Sequence, residues 1–273
     1  TMVTKNSNLS LYLRIISYSV LAFTLAFLIN NVLTVWSDWP GIKKIFSHHE
    51  MFGYKKKALE GSDLNYGYMQ IGLYLICIAA VVFYVFKTYS QTLEQDSKIL
   101  SRFSAYLVRS SFWAVFLVGV ADFVISFMVV ERLWEAIFSP EVKALMVKAP
   151  VRITYIHFPI ILISFVIGYF TKSVGFIWLA VLVVVSEFVI VLSRFIFSYE
   201  QAFQGDLVRF WYAALYLFAS AYALIHEGHV RVDVLYSSFS EKKKAWTNMV
   251  GSAVLGVPLT LIVIFLGLNG KAS

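Results

Sequence analysis

VGFIWLAVLVVVSEFVIVLSRFIF, residues 174–197, carries one acid, Glu187, and one base, Arg194, in an otherwise apolar run. As a helix rising about 1.5 Å per residue it is about 36 Å long, enough to cross a hydrocarbon core of about 30 Å. An acid at mid-span costs roughly 2.5–3.5 kcal/mol on insertion scales. The Val, Leu, Ile and Phe around it return about 0.3–0.6 kcal/mol each, so the segment still inserts. The rest of the chain follows the same pattern. Of 273 residues, 59% are hydrophobic and 14% charged, and mean hydropathy is +0.74. Soluble domains carry about 25% charged residues, so this chain has too little polar surface to cover itself in water. The 24 Phe, 16 Tyr and 7 Trp gather near the ends of apolar runs, as membrane-interface belts do. The expected fold class is all-α, a polytopic membrane protein.

About seven runs are long enough to span: 11–36, 67–87, 104–130, 153–171, 174–197, 209–226 and 246–268. The first exceeds a signal-peptide core and is read as a span. Residues 37–66 form a long loop with Pro40 and Gly41, and 88–103 are polar and helix-compatible. Residues 131–152, interrupted by Pro140 and Pro150, and residues 199–210 have the apolar spacing of amphipathic helices lying in the interface. No internal repeat and no pair of broken helices of the kind that builds a transporter's substrate site is evident. The net charge of +7 is spread between the spans and not gathered into a patch with stacking aromatics, so phospholipid and not nucleic acid is the expected partner. Lysine groups fall on both sides of the membrane. "SEKKKAW" (240–246), next to a span, favours a cytoplasmic N-terminus. The single cysteine, Cys77, lies inside an apolar run and reads as a small hydrophobe.

Few residues could carry chemistry. Asp122, in "VGVADFVISF", and Glu187 are mid-span acids. Such acids mark ion or proton relays, or they are hydrogen-bonded carboxyls that hold helices together, and without a second acid nearby in sequence the packing role is preferred. Arg194 and Arg109 are read as snorkelling to the interface. His157 is the one histidine well inside a span, whereas a haem needs two facing axial ligands, so no cofactor is expected. His48, His49 and Glu50 lack an anchored third ligand. In "LIHEGHVRVDVLY" (224–236), His226, His229 and Asp233 would share a helix face, but Gly228 breaks the helix between them. Neither a metal nor a catalytic residue is assigned.

The stretch "GHVRVDVLYSSFSEKKKAW" (228–246) after an apolar span resembles the small membrane subunit, the Q or DctQ type, of tripartite ATP-independent periplasmic (TRAP) transporters. The family pattern has a first span ending Arg-aromatic-x-Phe, matched by "SRFIF" (193–197). An amphipathic segment follows, matched in part by "QAFQGDLVRF" (201–210), which has the single acid Asp206. The second span ends in a Gly-His-x-Arg-x-Asp turn, matched in full by Gly228, His229, Arg231 and Asp233. On this resemblance residues 174–273 are a Q-type core with three of the usual four spans, and residues 1–173 are a four-span N-terminal extension. The resemblance implies a non-catalytic scaffold in a bacterial or archaeal inner membrane. It would support a large M-type subunit, as a heterodimer, in sodium-coupled import of an organic acid that a periplasmic binding protein delivers. Arg194, Asp206, Arg209, Gly228, His229, Arg231 and Asp233 become partner-interface or boundary anchors, with the turn on the cytoplasmic side.

The competing reading is a membrane protein that works alone, as an intramembrane enzyme or a haem-binding redox subunit. The two separate at the turn. As a boundary anchor, it should respond to Asp233→Asn or Arg231→Ala with a lower amount of assembled complex, transport falling only in proportion. Quantitative blotting of the complex beside uptake assays measures both.

Overall fold

In hydrocarbon a chain can satisfy its backbone N–H and C=O groups only within helices or a closed barrel. The computed structural model describes residues 8–172, 176–198, 202–225 and 235–269, and its regular structure is helical throughout, without a strand among the described residues. Among the described residues, six helices are long and apolar enough to cross a membrane: Asn8–Trp36, Ser62–Lys87, Leu93–Val130, Pro150–Phe170, Ile177–Ile196 and Glu241–Leu268. The protein is therefore a multi-pass, all-α membrane protein. The further span expected at 209–226 is present as a helix, Ala202–Ile225, of 24 residues. Gln204, Asp206 and Arg209 stand in its first turns.

We number the helices α1 (Asn8–Trp36), α2 (Ile42–His48), α3 (Ser62–Lys87), α4 (Leu93–Val130), α5 (Trp134–Ile137), α6 (Pro140–Met146), α7 (Ala149–Arg152), α8 (Phe158–Phe170), α9 (Phe176–Phe197), α10 (Ala202–Ile225), α11 (Glu241–Gly251) and α12 (Val257–Asn269). Two expectations need correction. Residues 202–210 are not a separate interfacial piece, because the buried stripe Gln204, Leu207, Val208, Trp211 and Ala214 continues unbroken and makes them the start of α10. Residues 93–103 likewise form the first turns of the 38-residue α4. Between α4 and α8 stand the short helices α5 and α6, the latter opened by Pro140, whose missing N–H suits a first helical turn.

Helices α7 and α8 join through a π turn, Ile153–His157, and α11 and α12 through another, Ser252–Gly256. A proline stands two residues beyond each, Pro159 and Pro258. A proline donates no hydrogen bond to the carbonyl four residues back, and its ring presses on that carbonyl. Widening the preceding turn to i→i+5 bonding relieves the clash without breaking the span.

The chain divides into two compact units, Thr1–Asp96 with Val232–Ser273, and Ser97–Arg231. In the first, α1 and α3 pack antiparallel. Tyr18 meets Tyr84 with ring centroids 5.4 Å apart, and Phe23 meets Tyr74 at 5.1 Å. Buried Gln70 accepts from the Gly41 N–H at 2.9 Å and donates to Thr34 Oγ1 at 3.1 Å, tying the 37–61 loop to both helices. Phe265 of α12 stacks edge-on against Phe27 at 4.3 Å. In the second unit, Phe112, Leu179, Val183, Ile190, Leu207, Val208, Trp211 and Ala214 form one apolar core from α4, α9 and α10.

Lipid tails are as apolar as leucine, so membrane helices associate through close packing and hydrogen bonds. In the second unit α8 sets Gly168 directly on Ser110 of α4, both residues being buried. A Cβ at 168 would lie 2.9 Å from the Ser110 Cα and N, backbone atoms that cannot step aside. Gly168→Ala should therefore overpack the α4–α8 contact by about 1–3 kcal/mol, or about 3–10 °C in apparent melting temperature. Gly72→Ala, with nothing within 4 Å of the added carbon, should be neutral. Tryptophan fluorescence melts in detergent compare the two.

Candidate functional site

Asp122 lies on α4, eight residues before its end. Its Oδ1 accepts from Arg152 Nη1 at 3.3 Å and lies 3.0 Å from His157 Nε2. Arg152 closes α7, and His157 ends the π turn that follows. The acid's partners are thus bases on a different span, 30 and 35 residues away in sequence. All three side chains are largely covered, their exposures being 33, 23 and 16% for Asp122, Arg152 and His157. They line a cavity of about 440 Å³ together with Ser126, Phe203, Asp206 and Phe210. The Nε of Arg152 is buried without a partner. The arrangement holds α4 to α8 by a charge-assisted contact of the kind that is strong where water is scarce. The His157 nitrogen that faces Asp122 is thereby occupied, which leaves the histidine poorly placed as a haem ligand.

A second cluster, absent from the sequence reading, is more deeply buried. Arg14 of α1 and Asp96 of α4 have side-chain exposures of 2 and 6% and approach to 2.5 Å. Arg14 also donates to the Thr88 carbonyl and to Thr88 Oγ1, each at 2.8 Å, and Tyr18 donates to Asp96 at 3.1 Å. Arg14 is a charge inside the run 11–36, and nothing local in sequence points from it to Asp96.

Of the other sequence-predicted residues, Asp206 lines the Asp122 cavity without bonding to the cluster. Asp206 and Arg209 form an i,i+3 pair at 3.5 Å with both side chains more than four-fifths exposed, the kind of pair worth about 0–1 kcal/mol. Arg194 is exposed at the end of α9. Arg109 has a protein partner: its Nε donates to the Gly168 carbonyl at 3.2 Å, near the end of α8. Glu187 is exposed, and no described residue bonds it. His49 pairs with Tyr68 at 2.8 Å, and His48 accepts from the Leu59 N–H at 3.0 Å. No group of three metal-ligating side chains occurs among the described residues. Gly228, His229, Arg231 and Asp233 lie outside the described residues.

The family that residues 174–268 resemble is met by a direct match. Residues 180–272 match the DctQ component of tripartite ATP-independent periplasmic transporters. The chain matches no curated protein and no solved structure. The DctQ match covers α10, α11, α12 and all but the first turn of α9, roughly a third of the chain. It leaves Asp122, Arg152, His157, Arg14 and Asp96 in the part that precedes it. Of these helices, α9 and α10 belong to the second compact unit and α11 and α12 to the first.

The Asp122 cluster yields a double-mutant test. Asp122→Leu alone strands Arg152 and should destabilise more than Asp122→Leu combined with Arg152→Met. Removing one partner of a covered pair leaves an uncompensated charge, whereas replacing both with apolar groups is close to neutral. A coupling of about 0.5–3 kcal/mol is expected, measured by unfolding in mixed micelles.

Proposed function

We propose that this chain is the small membrane subunit of a TRAP transporter and a non-catalytic scaffold for the large subunit. The observation that carries this reading is the DctQ match across α9–α12. The described spans support it, since each runs as a continuous helix, π turns included, whereas substrate and ion sites of secondary transporters are built from discontinuous half-helices. Large side chains such as Phe195, Tyr169 and Trp178 stand exposed at 88, 75 and 70% along the spans. Lipid and a membrane partner would cover them. In this reading the large subunit carries sodium-coupled import of an organic acid, and a periplasmic binding protein delivers it. The chain resides in the inner membrane with its N-terminus cytoplasmic. Residues 1–173 enlarge the scaffold, residues 174–273 form the family core, and Asp122 is a packing residue outside any ion path.

Affinity purification from native membranes tests this. The chain should bring down a large membrane subunit at one to one, and deletion of either should abolish sodium-dependent uptake of an organic acid. A monodisperse, stable chain that recaptures no large subunit would overturn the reading, and a Soret band in the purified protein would favour a haem-binding subunit instead.

A further inference from the structure

Glu187 is the twelfth of the 22 residues of α9, so about 15 Å of helix lies on either side of it. Its carboxyl is therefore at the depth where a lipid-facing acid is most costly. Unlike Asp122 and Asp96, it has no bonding partner among the described residues, and it is exposed. The packed side of α9 is set by Leu179, Val183 and Ile190, which are buried against the core. Beside it runs a second stripe, Ala180, Val184, Glu187 and Val191, at i, i+4, i+7 and i+11. Val184 and Val191 are 66 and 58% exposed. That spacing is the seam by which two helices pack at a shallow angle, and the side chains along it are small or β-branched apart from the one acid.

We infer that this stripe is the docking seam for a transmembrane helix of the large subunit, and that this helix presents a hydrogen-bond donor (Ser, Thr, Asn, Gln, Lys or Arg) at the depth of the Glu187 carboxyl. The inference rests on the proposed function for the existence of that partner. The chemistry of the partner follows from the acid: a purely apolar helix would leave the carboxyl as uncompensated as lipid does, whereas a donor satisfies it. The stripe also lies within the DctQ-matched segment.

The test uses the complex in native membranes. A photo-crosslinking phenylalanine analogue at Val184 or Val191, with Glu187 intact, should give an adduct with the large subunit. Adducts only with lipid, with a second copy, or within the chain would overturn the inference. In parallel, Glu187→Leu should weaken recovery of the large subunit roughly 3- to 20-fold, the span of a single interhelical hydrogen bond in a bilayer. Glu187→Gln, which keeps the hydrogen-bonding group, should stay within about twofold of the native chain. A lipid-facing acid predicts the opposite sign for Glu187→Leu, unchanged or better recovery, and that result would also overturn the inference. If the native chain captures no large subunit at all, the proposed function falls and this seam with it. If capture is normal but the adducts and the two variants disagree with the expectation, only the seam falls.

Discussion

Hydrocarbon offers a charged group nothing to bond with, so each ionised side chain in a span must find its counter-group in protein. The Arg14 guanidinium shows how completely that demand is met. It spends its donors on Asp96, the Thr88 carbonyl and the Thr88 hydroxyl, and Asp96 in turn accepts from Tyr18. One pair thereby fixes the start of α4 against α1 and the end of α3. Asp122 does the same for α4 and α8 through Arg152 and His157. Such pairs add little net stability over apolar residues of the same shape, but they penalise every misregistered packing by stranding a charge. The chain thus uses charge to choose among arrangements that its apolar surfaces alone would hardly distinguish.

Close packing does the rest. Gly168 lets the backbone of α8 sit against Ser110 of α4, and Gly119 of α4 leaves room for the Trp211 indole of α10. α4 is therefore the helix on which α8 and α10 are both assembled.

The spans were legible because hydropathy is a local property: a run such as 174–197 declares itself without reference to anything distant. The resemblance to the DctQ component was legible for a related reason, since the Gly-His-x-Arg-x-Asp sequence (228–233) and the "SRFIF" segment are short motifs. Pairing was not legible. Asp122 has no second acid near it in sequence, and its partners are bases on another span, 30 and 35 residues away. Asp96 sat in a stretch read as a polar linker and proved to be the counter-charge of Arg14, 82 residues away. The start of α10 has the pattern of an interfacial piece because Asp206 and Arg209 are exposed, while the buried stripe through Leu207 and Trp211 that makes it part of the longer helix occupies only one side.

The π turn before Pro159 has a consequence for the charges next to it. Arg152 and His157 are five positions apart, and in an uninterrupted α-helix their side chains would leave the axis about 140° from one another. They could not then both reach one carboxylate. The wider turn, with its i→i+5 bonding, brings the fifth residue back round to the side of the first, and both side chains meet Asp122 Oδ1. A residue with no polar side chain, two positions beyond the histidine, thus sets the azimuth of an ion cluster that it does not touch. Pro258 imposes the same rephasing on the last span, so the side of α12 that carries Phe265 to α1 cannot be found by counting 3.6-residue turns from α11.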